Sequence, residues 1–364
     1  MAKPLAVASA HLITPDMSTQ DQPPDISVVI TTYNRADLLS ATLRGLLAQE
    51  AEGVRYEIVV VDNNSTDNTR QVVQSFRAQE NPVLRYVFEP RQGVSQGRNT
   101  GVAAARASIV AFTDDDVVPT PGWVAQIKRA FDEHKQIGFL GGKILPEWQS
   151  PPPGWLTKDH WWPLALLDRG DEPFYVNAAN PLCLPTANAA FRAELLARIG
   201  PFSEEFSTRE DHELLIRLCQ AGYQGLYEPN LVVVAKVQPE RMRKSYHRQW
   251  NKATGKFNSL MRLAEIVGPD GGIIPEAKNA LRLFGVPASM YREFITESWS
   301  WLKQSIRGNE STKLQCENRL YYLCGYVSKR YEQTSAQQRY STLAELTSFA
   351  KAVWRKKVLR QQPS

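Results

Sequence analysis

Cysteine is scarce in this sequence. Cys183, Cys219, Cys316 and Cys324 are its four, with no CxxC pair among them. That spacing supports neither a zinc knuckle nor a disulfide framework, and scattered thiols fit a reducing compartment. Histidine is nearly as sparse, five in 364 residues, and His134, His160 and His247 have no partner at metal-ligand spacing. No stretch approaches the roughly 20 apolar residues of a membrane span, and the start of the chain lacks the pattern of a signal peptide. These absences predict a cytoplasmic protein, soluble or peripheral on the inner membrane face. They argue against a synthase that extrudes its own polymer. Strong charge is missing too. A net charge of +5 is too small for a dedicated nucleic-acid binder, so no nucleic-acid partner is expected.

What is present is an alternation of strands and helices. Residues 1–24 end in Gln22-Pro23-Pro24 without periodicity and predict a flexible tail. The runs Ile26–Ile30, Tyr56–Val61, Leu84–Phe88 and Ile109–Phe112 are apolar and β-rich. Between them, residues such as Leu38, Leu39, Leu43, Leu46 and Leu47 recur at helical spacing. Continuous apolar strands alternating with amphipathic helices predict an α/β fold: a Rossmann-like, mostly parallel sheet with helices on both faces. From Gly138 to about Pro185 the pattern degrades into an aromatic, proline-rich excursion. Helices are predicted from Ala189 to Ile199 and from Glu210 to Ala221, with a strand at Leu231–Val234. Beyond about residue 240 the chain reads as helical and basic, with amphipathic segments at 274–305 and 335–360. The expected division is a tail (1–24), an α/β domain (25–240) and a helical C-terminal extension (241–364).

In open α/β sheets, ligands bind beyond the carboxyl ends of the strands. That rule gathers Thr31–Arg35, Asp62–Ser65 and Asp114–Asp116 at one crevice. Three consecutive carboxylates repel one another, and a divalent cation would offset that repulsion. Oxygen ligands suit Mg²⁺ or Mn²⁺, completed by phosphate oxygens and water. A solvated acidic turn is the plainer alternative. Glu210-Asp211 opens a helix, where the helix dipole favours acids, and a general base for an attacking hydroxyl would look the same. Residue types leave those two readings open. Arg98 would bridge to a carboxylate or a diphosphate. Gly93 and Gly97 around it would let backbone approach a ligand. Trp148, Trp155, Trp161 and Trp162 either stack on a sugar or pin the excursion to the core.

These clusters, in this order, resemble the family 2 glycosyltransferases with the GT-A fold. The likeness runs from about Ile26 to Val237. It is carried by Val28–Arg35, Ile58–Asp67, Gly97–Gly101, Phe112–Asp116, Ala187–Arg192, Gly200-Pro201-Phe202 and Arg209-Glu210-Asp211. The resemblance implies an inverting, metal-dependent transfer of one sugar from a nucleotide-sugar, UDP being common in the family, to an acceptor hydroxyl. It implies that Thr31, Tyr33 and Arg35 hold the base and its surroundings, that Asp62 binds base or ribose, and that Arg98 lies near the nucleotide. Asp114 and Asp116 would be the ends of the DxD motif. Asp114 would lie toward the ribose with Asp115 beside it in the nucleotide-sugar site, and Asp116 would reach the metal. Asp211 would be the catalytic base. A saccharide or lipid-linked acceptor and a place in cell-surface or extracellular polysaccharide assembly would follow.

One departure stands out. Many relatives carry a histidine where this chain has Ala235-Lys236, so a third metal ligand is missing from the pattern. Arg248-Gln249-Trp250 is only a faint echo of the processive-synthase signature. The basic helices after residue 240, with Trp354, Arg355, Lys356 and Lys357 near the end, could rest on an anionic membrane or simply cap the domain. Two other functions compete with this reading. A sugar-nucleotide pyrophosphorylase would need a glycine-rich loop after the first strand, and no glycine occurs there until Gly45. A catalytically retired scaffold would tolerate the missing histidine but has no need of the intact acidic triplet and Glu210-Asp211.

Overall fold

A computed structural model describes residues 23–351, apart from 52, 77–81, 207, 269, 275–280, 309, 338–345 and 348. The predicted tail up to residue 22, most of the 335–360 segment and Trp354–Lys357 therefore lie outside the described residues.

The first half alternates as the pattern predicts. β1 (Ile26–Thr32), α1 (Ala36–Leu47), β2 (Tyr56–Asp62), α2 (Thr69–Ser75), β3 (Val83–Phe88), α3 (Val94–Ala104) and β4 (Ile109–Asp114) follow in order. Spatially the strands run β3-β2-β1-β4, all parallel. β1 and β2 are buried along nearly their whole length, as strands covered by helices on both faces must be. Register then does the functional work. Thr31 pairs with Asp114 on one side, and Thr32 pairs with Asp62 on the other. Three polar strand ends thus finish at one level, because the apolar runs before them are matched in length.

The second half is mixed. β5 (Val117–Pro119) and α4 (Trp123–Glu133) lead into β6 (Phe139–Trp148), β7 (Phe174–Val176), β8 (Ala189–Arg192), α5 (Ala193–Ile199), α6 (Glu210–Gln220) and β9 (Gly225–Val237). The sheet continues β4-β8-β6-β9-β5, with β8 antiparallel to both neighbours and β6 parallel to β9. Several elements differ from the sequence pattern. β6 is a central ten-residue strand in the stretch that reads as irregular. Gly141-Gly142 interrupts its apolar run, and the register shifts between Gly142 and Lys143. A Cβ on Gly142 would lie 2.0 Å from the Leu231 carbonyl oxygen, so the glycine is required by close backbone approach. Ala189–Arg192 reads as the start of a helix but forms β8. Alanine's helix preference yields there to a slot between two strands. β9 is also far longer than its apolar centre Leu231–Val234.

Helices follow: α7 (Lys244–Leu260), α8 (Leu263–Ile266), α9 (Ala288–Arg307) and α10 (Glu310–Gln337). α7 and α10 cross at two glycines. A Cβ on Gly255 would lie 2.0 Å from the Tyr322 carbonyl, and one on Gly325 would lie 2.0 Å from that of Lys252. Leu314 of α10 joins the main core, while Val286, Met290, Leu323 and Tyr326 form a small second cluster. No helix among the described residues is long and apolar enough to cross a membrane.

Candidate active site

The turn after β1 is held by local hydrogen bonds. Asn34 adopts a left-handed φ of 52°, which asparagine tolerates. Its Oδ1 accepts from the Thr66 and Asp67 amides at 2.7 and 3.3 Å, tying the β1–α1 turn to the β2–α2 turn. Thr32 Oγ1 donates to Asp115 Oδ2 at 2.8 Å. Arg35 Nη1 lies 3.0 Å from Asp115 Oδ1 and 3.4 Å from Asp116 Oδ2. Burial pushes the Asp115 carboxyl up to about 6, with Arg35 opposing and the Asp116 charge adding to the rise. Asp116 is raised as well, by burial and then by Asp114, against Arg241 and Arg35. The acidic triplet is therefore a partly desolvated cluster with arginines around it, not a solvated turn.

Arg98 is the second organiser. It is buried, its Nη1 pairs with Glu210, and its Nη2 lies 3.4 Å from Asp114 Oδ1. The guanidinium also sits 5.7 Å from the Phe202 ring centroid. Gly97 serves packing: a Cβ there would lie 2.3 Å from the Thr31 methyl, so the glycine lets α3 press on β1 and does not face a ligand. Gly93, by contrast, lines the cleft, and its amide donates to Asn63 Oδ1 at 2.8 Å.

Asp211 stands on the first turn of α6, next to the Glu210 that Arg98 fixes. Just before it, Arg209 has a φ of 65°. Its guanidinium lies 5.7 Å from the Trp162 ring and 5.5 Å from the Trp250 ring. This strained residue aims the start of α6.

Two hollows adjoin. The larger, about 630 Å³, is lined by Thr31, Tyr33, Arg35, Arg98 and the whole triplet Asp114–Asp116. The smaller, about 260 Å³, holds Asp211 with Trp162, Cys183 and Trp250. Val94, Ala165, Arg241 and Tyr246 line both. The structure thus brings Thr31, Tyr33, Arg35, Arg98, Asp114, Asp115, Asp116 and Asp211 to the two hollows, but not Asp62. Asp62 is buried outside both hollows, accepting from Ser65 N at 2.9 Å and Tyr86 Oη at 2.7 Å. It lines a separate depression with Arg70 and Tyr86, while its neighbour Asn63 reaches the main cleft. Trp162 is the one tryptophan of the excursion on the smaller hollow, and Trp155 packs against His160 and His247.

The sequence pattern does not single out Arg241 or Tyr246, and it marks Trp250 only within the faint Arg248-Gln249-Trp250 echo, with no role in this site. Arg241 Nη1 is 3.8 Å from Asp116 Oδ2, and its Nε is buried with no hydrogen-bond partner. These residues come from beyond the expected boundary at 240, outside the segments that carry the family resemblance. The only clue was the missing histidine a few residues upstream.

The triplet fits a cation of one kind. Among the described residues, no three His, Cys, Asp or Glu side chains converge as a metal cage. The oxygens of Asp115 are committed to Thr32 and Arg35. Asp114 and Asp116 both line the larger hollow. One or two carboxylates open to a phosphate-bearing ligand suit Mg²⁺ or Mn²⁺, which keep water and take phosphate oxygens; they do not make a closed structural site.

Residues 27–200 match the sequence model described as Glycosyl transferase family 2. This segment of the chain is a family 2 glycosyltransferase domain. The chain is 31% identical over 185 residues to an uncharacterized glycosyltransferase of Nostoc sp., covering 48% of this chain and 53% of that protein. It is 41% identical over 227 residues to validoxylamine A glucosyltransferase of Streptomyces hygroscopicus subsp. jinggangensis, covering 55% of this chain and 52% of that protein. The chain thus spans about half the length of these curated relatives. Among solved structures it is similar to a mannosyltransferase from Pyrobaculum calidifontis in complex with GDP-Man and Mn²⁺. The TM-score is 0.50 at 18% identity, covering 92% of this chain and 81% of that one. At that identity the likeness is one of fold alone, and the fold is of the GT-A type.

Proposed function

We propose that the protein transfers a single sugar from a nucleoside-diphosphate sugar to an acceptor hydroxyl with inversion. The observation that carries this reading is the pair of adjoining hollows. One holds the acidic triplet and its arginines, the other holds Asp211, and four residues line both. An in-line displacement needs its leaving group and its base on opposite sides of the sugar. In this reading the nucleotide lies along Thr31, Tyr33 and Arg35 in the larger hollow, with Arg98 at the back. A role for Asp62 on base or ribose requires one of its oxygens to accept a further hydrogen bond beside the one from Ser65 or Tyr86.

Asp116, with Asp114, would hold Mn²⁺ or Mg²⁺; bound there, the cation supplies Lewis-acid neutralisation of the leaving diphosphate. Arg241 places a further positive charge beside Asp116, where it can bind diphosphate oxygens as a fork. Asp211 takes the proton of the acceptor hydroxyl as that oxygen bonds to the anomeric carbon and the diphosphate departs with the electrons of the broken bond. Trp162 and Trp250, spaced by Arg209, offer aromatic faces to the acceptor. Family resemblance favours a UDP-sugar donor, and a saccharide or lipid-linked acceptor of cell-surface or extracellular polysaccharide assembly. A small-molecule acceptor is a second reading, favoured by the 41% identical relative being named for validoxylamine A.

The test is nucleoside diphosphate release from UDP-, GDP- and dTDP-sugars, with and without Mn²⁺ or Mg²⁺, paired with direct donor-binding titration. Metal-dependent release from one donor, lost in Asp116→Ala and Asp211→Asn, is the expected result. A folded protein that neither releases nor binds any nucleotide would return the chain to the retired-scaffold alternative.

A further inference from the structure

α9 carries an apolar stripe that nothing in the described structure covers. It follows the two-residue strand Val286-Pro287 and ends at Gly308, whose φ of 75° stops the helix. Between them Ile295, Trp299, Leu302 and Ile306 are 58, 68, 46 and 81% exposed. Their spacing of 4, 3 and 4 residues places them within about 60° of arc and along roughly 16 Å of helix. Single exposed apolar residues need no explanation, but four in one line on a 20-residue helix do.

Charge on α9 is segregated around that stripe. Arg292 and Lys303 are exposed and project about 50–70° to one side of it. Glu293 and Glu297 project about 150–170° away. Glu293 pairs with Arg319 of α10, and Glu297 interacts with Cys316 and Arg319. Trp301 turns inward too, its Nε1 donating to Glu317 at 3.1 Å. The acids are thus spent on the helix–helix contact, and the outer face shows apolar side chains bordered by cations.

We infer that this face of α9 lies in the interface of an anionic lipid bilayer. Apolar residues would enter the acyl boundary, Trp299 would sit at headgroup level, and Arg292 and Lys303 would meet lipid phosphates. A second copy of the chain suits the stripe poorly. Two such faces packed together would bring their cations into one contact while every acid of the helix points away. The bilayer supplies both the apolar depth and the negative charge that the face lacks. The expectation from sequence named the basic helices after residue 240 in general, with Trp354–Lys357 near their end; the inferred surface is one face of α9 among them.

The experiment is flotation of the full chain with vesicles of phosphatidylglycerol and phosphatidylcholine, and with phosphatidylcholine alone. Three proteins are compared: wild type, Trp299→Ser/Ile306→Ser and Arg292→Glu/Lys303→Glu. All three are checked for folding by circular dichroism and for mass by light scattering. Wild type should float with the anionic vesicles and bind phosphatidylcholine on the order of tenfold less tightly. Each double variant should lose anionic-vesicle binding by a similar factor while remaining folded. Wild type that ignores anionic vesicles overturns the inference. So does undiminished binding by both folded variants. A wild-type dimer that the Trp299→Ser/Ile306→Ser variant dissolves, with no vesicle binding, would identify a second copy as the occupant instead. Nucleotide release is not read in this assay, so its outcome is separate from that of the catalytic reading.

Discussion

Arg98 on α3 and Glu210 at the start of α6 form a buried ion pair across 112 residues of sequence. The pair joins the two halves of the site. Through Nη2, Arg98 also faces Asp114 on the nucleotide side, while Glu210 is adjacent to Asp211 on the other. Removing one member leaves the other charge buried without a partner. Arg98→Ala is expected to cost about 3–5 kcal/mol of stability, measured by denaturant unfolding. Arg98→Lys should retain part of the pairing but not the second contact to Asp114.

Asp211→Asn keeps the size of the side chain and removes its basicity. It should lower kcat by roughly 10²–10⁴ while leaving the KM for donor within a few fold, because Asp211 lies outside the larger hollow. A parallel loss of donor affinity would mean that Asp211 positions the nucleotide and does not act as the base.

Arg241→Ala should weaken nucleoside diphosphate binding by roughly 10–100-fold, the worth of a charge-assisted hydrogen bond. Binding of the corresponding nucleoside should change little. Calorimetric titration of both ligands separates the two. Equal weakening for nucleoside and diphosphate would place Arg241 at the base and not at the phosphates.

Asp115 gives a pH signature. Its carboxyl titrates at about 6 in the folded protein, above the ordinary range near 4. Protonated Asp115 is therefore the form that folding favours. Its contribution is fully present below about pH 4 and is lost as the pH rises through about 6, amounting to roughly 3 kcal/mol. Asp115→Asn should accordingly melt higher than wild type at pH 7, with the difference closing at pH 4. Thermal melts at the two pH values check this, and a difference that grows on acidification would contradict it.

Much of the site was legible because its signals are local. An apolar run ending in Thr31–Arg35, another in Asp62 and a third in Asp114–Asp116 are visible without coordinates. The rule that ligands gather at strand ends then groups them. β6 and β8 were hidden for physical reasons. Gly141-Gly142 breaks the apolar pattern where two backbones approach closely. Ala189–Phe191 has a composition that suits helix or strand until neighbouring strands offer it a ladder. Arg241 and Tyr246 carry no motif and Trp250 only a faint echo of one; the turn Pro239–Met242 after β9 and the contacts of α7 with Pro163 and Arg209 bring them to the hollows.

By itself, then, the sequence determined the parallel half of the sheet, the acidic strand end and the acidic helix start, because matched apolar runs and the pull of a helix dipole on first-turn acids act over a few residues. Tertiary structure decided which partners those carboxylates have. Asp115 faces Thr32 and Arg35, Glu210 takes Arg98, and Asp62 turns to Tyr86, away from the hollow that its neighbour Asn63 lines. Those choices depend on register, on burial and on segments far apart along the chain, and no local pattern encodes them.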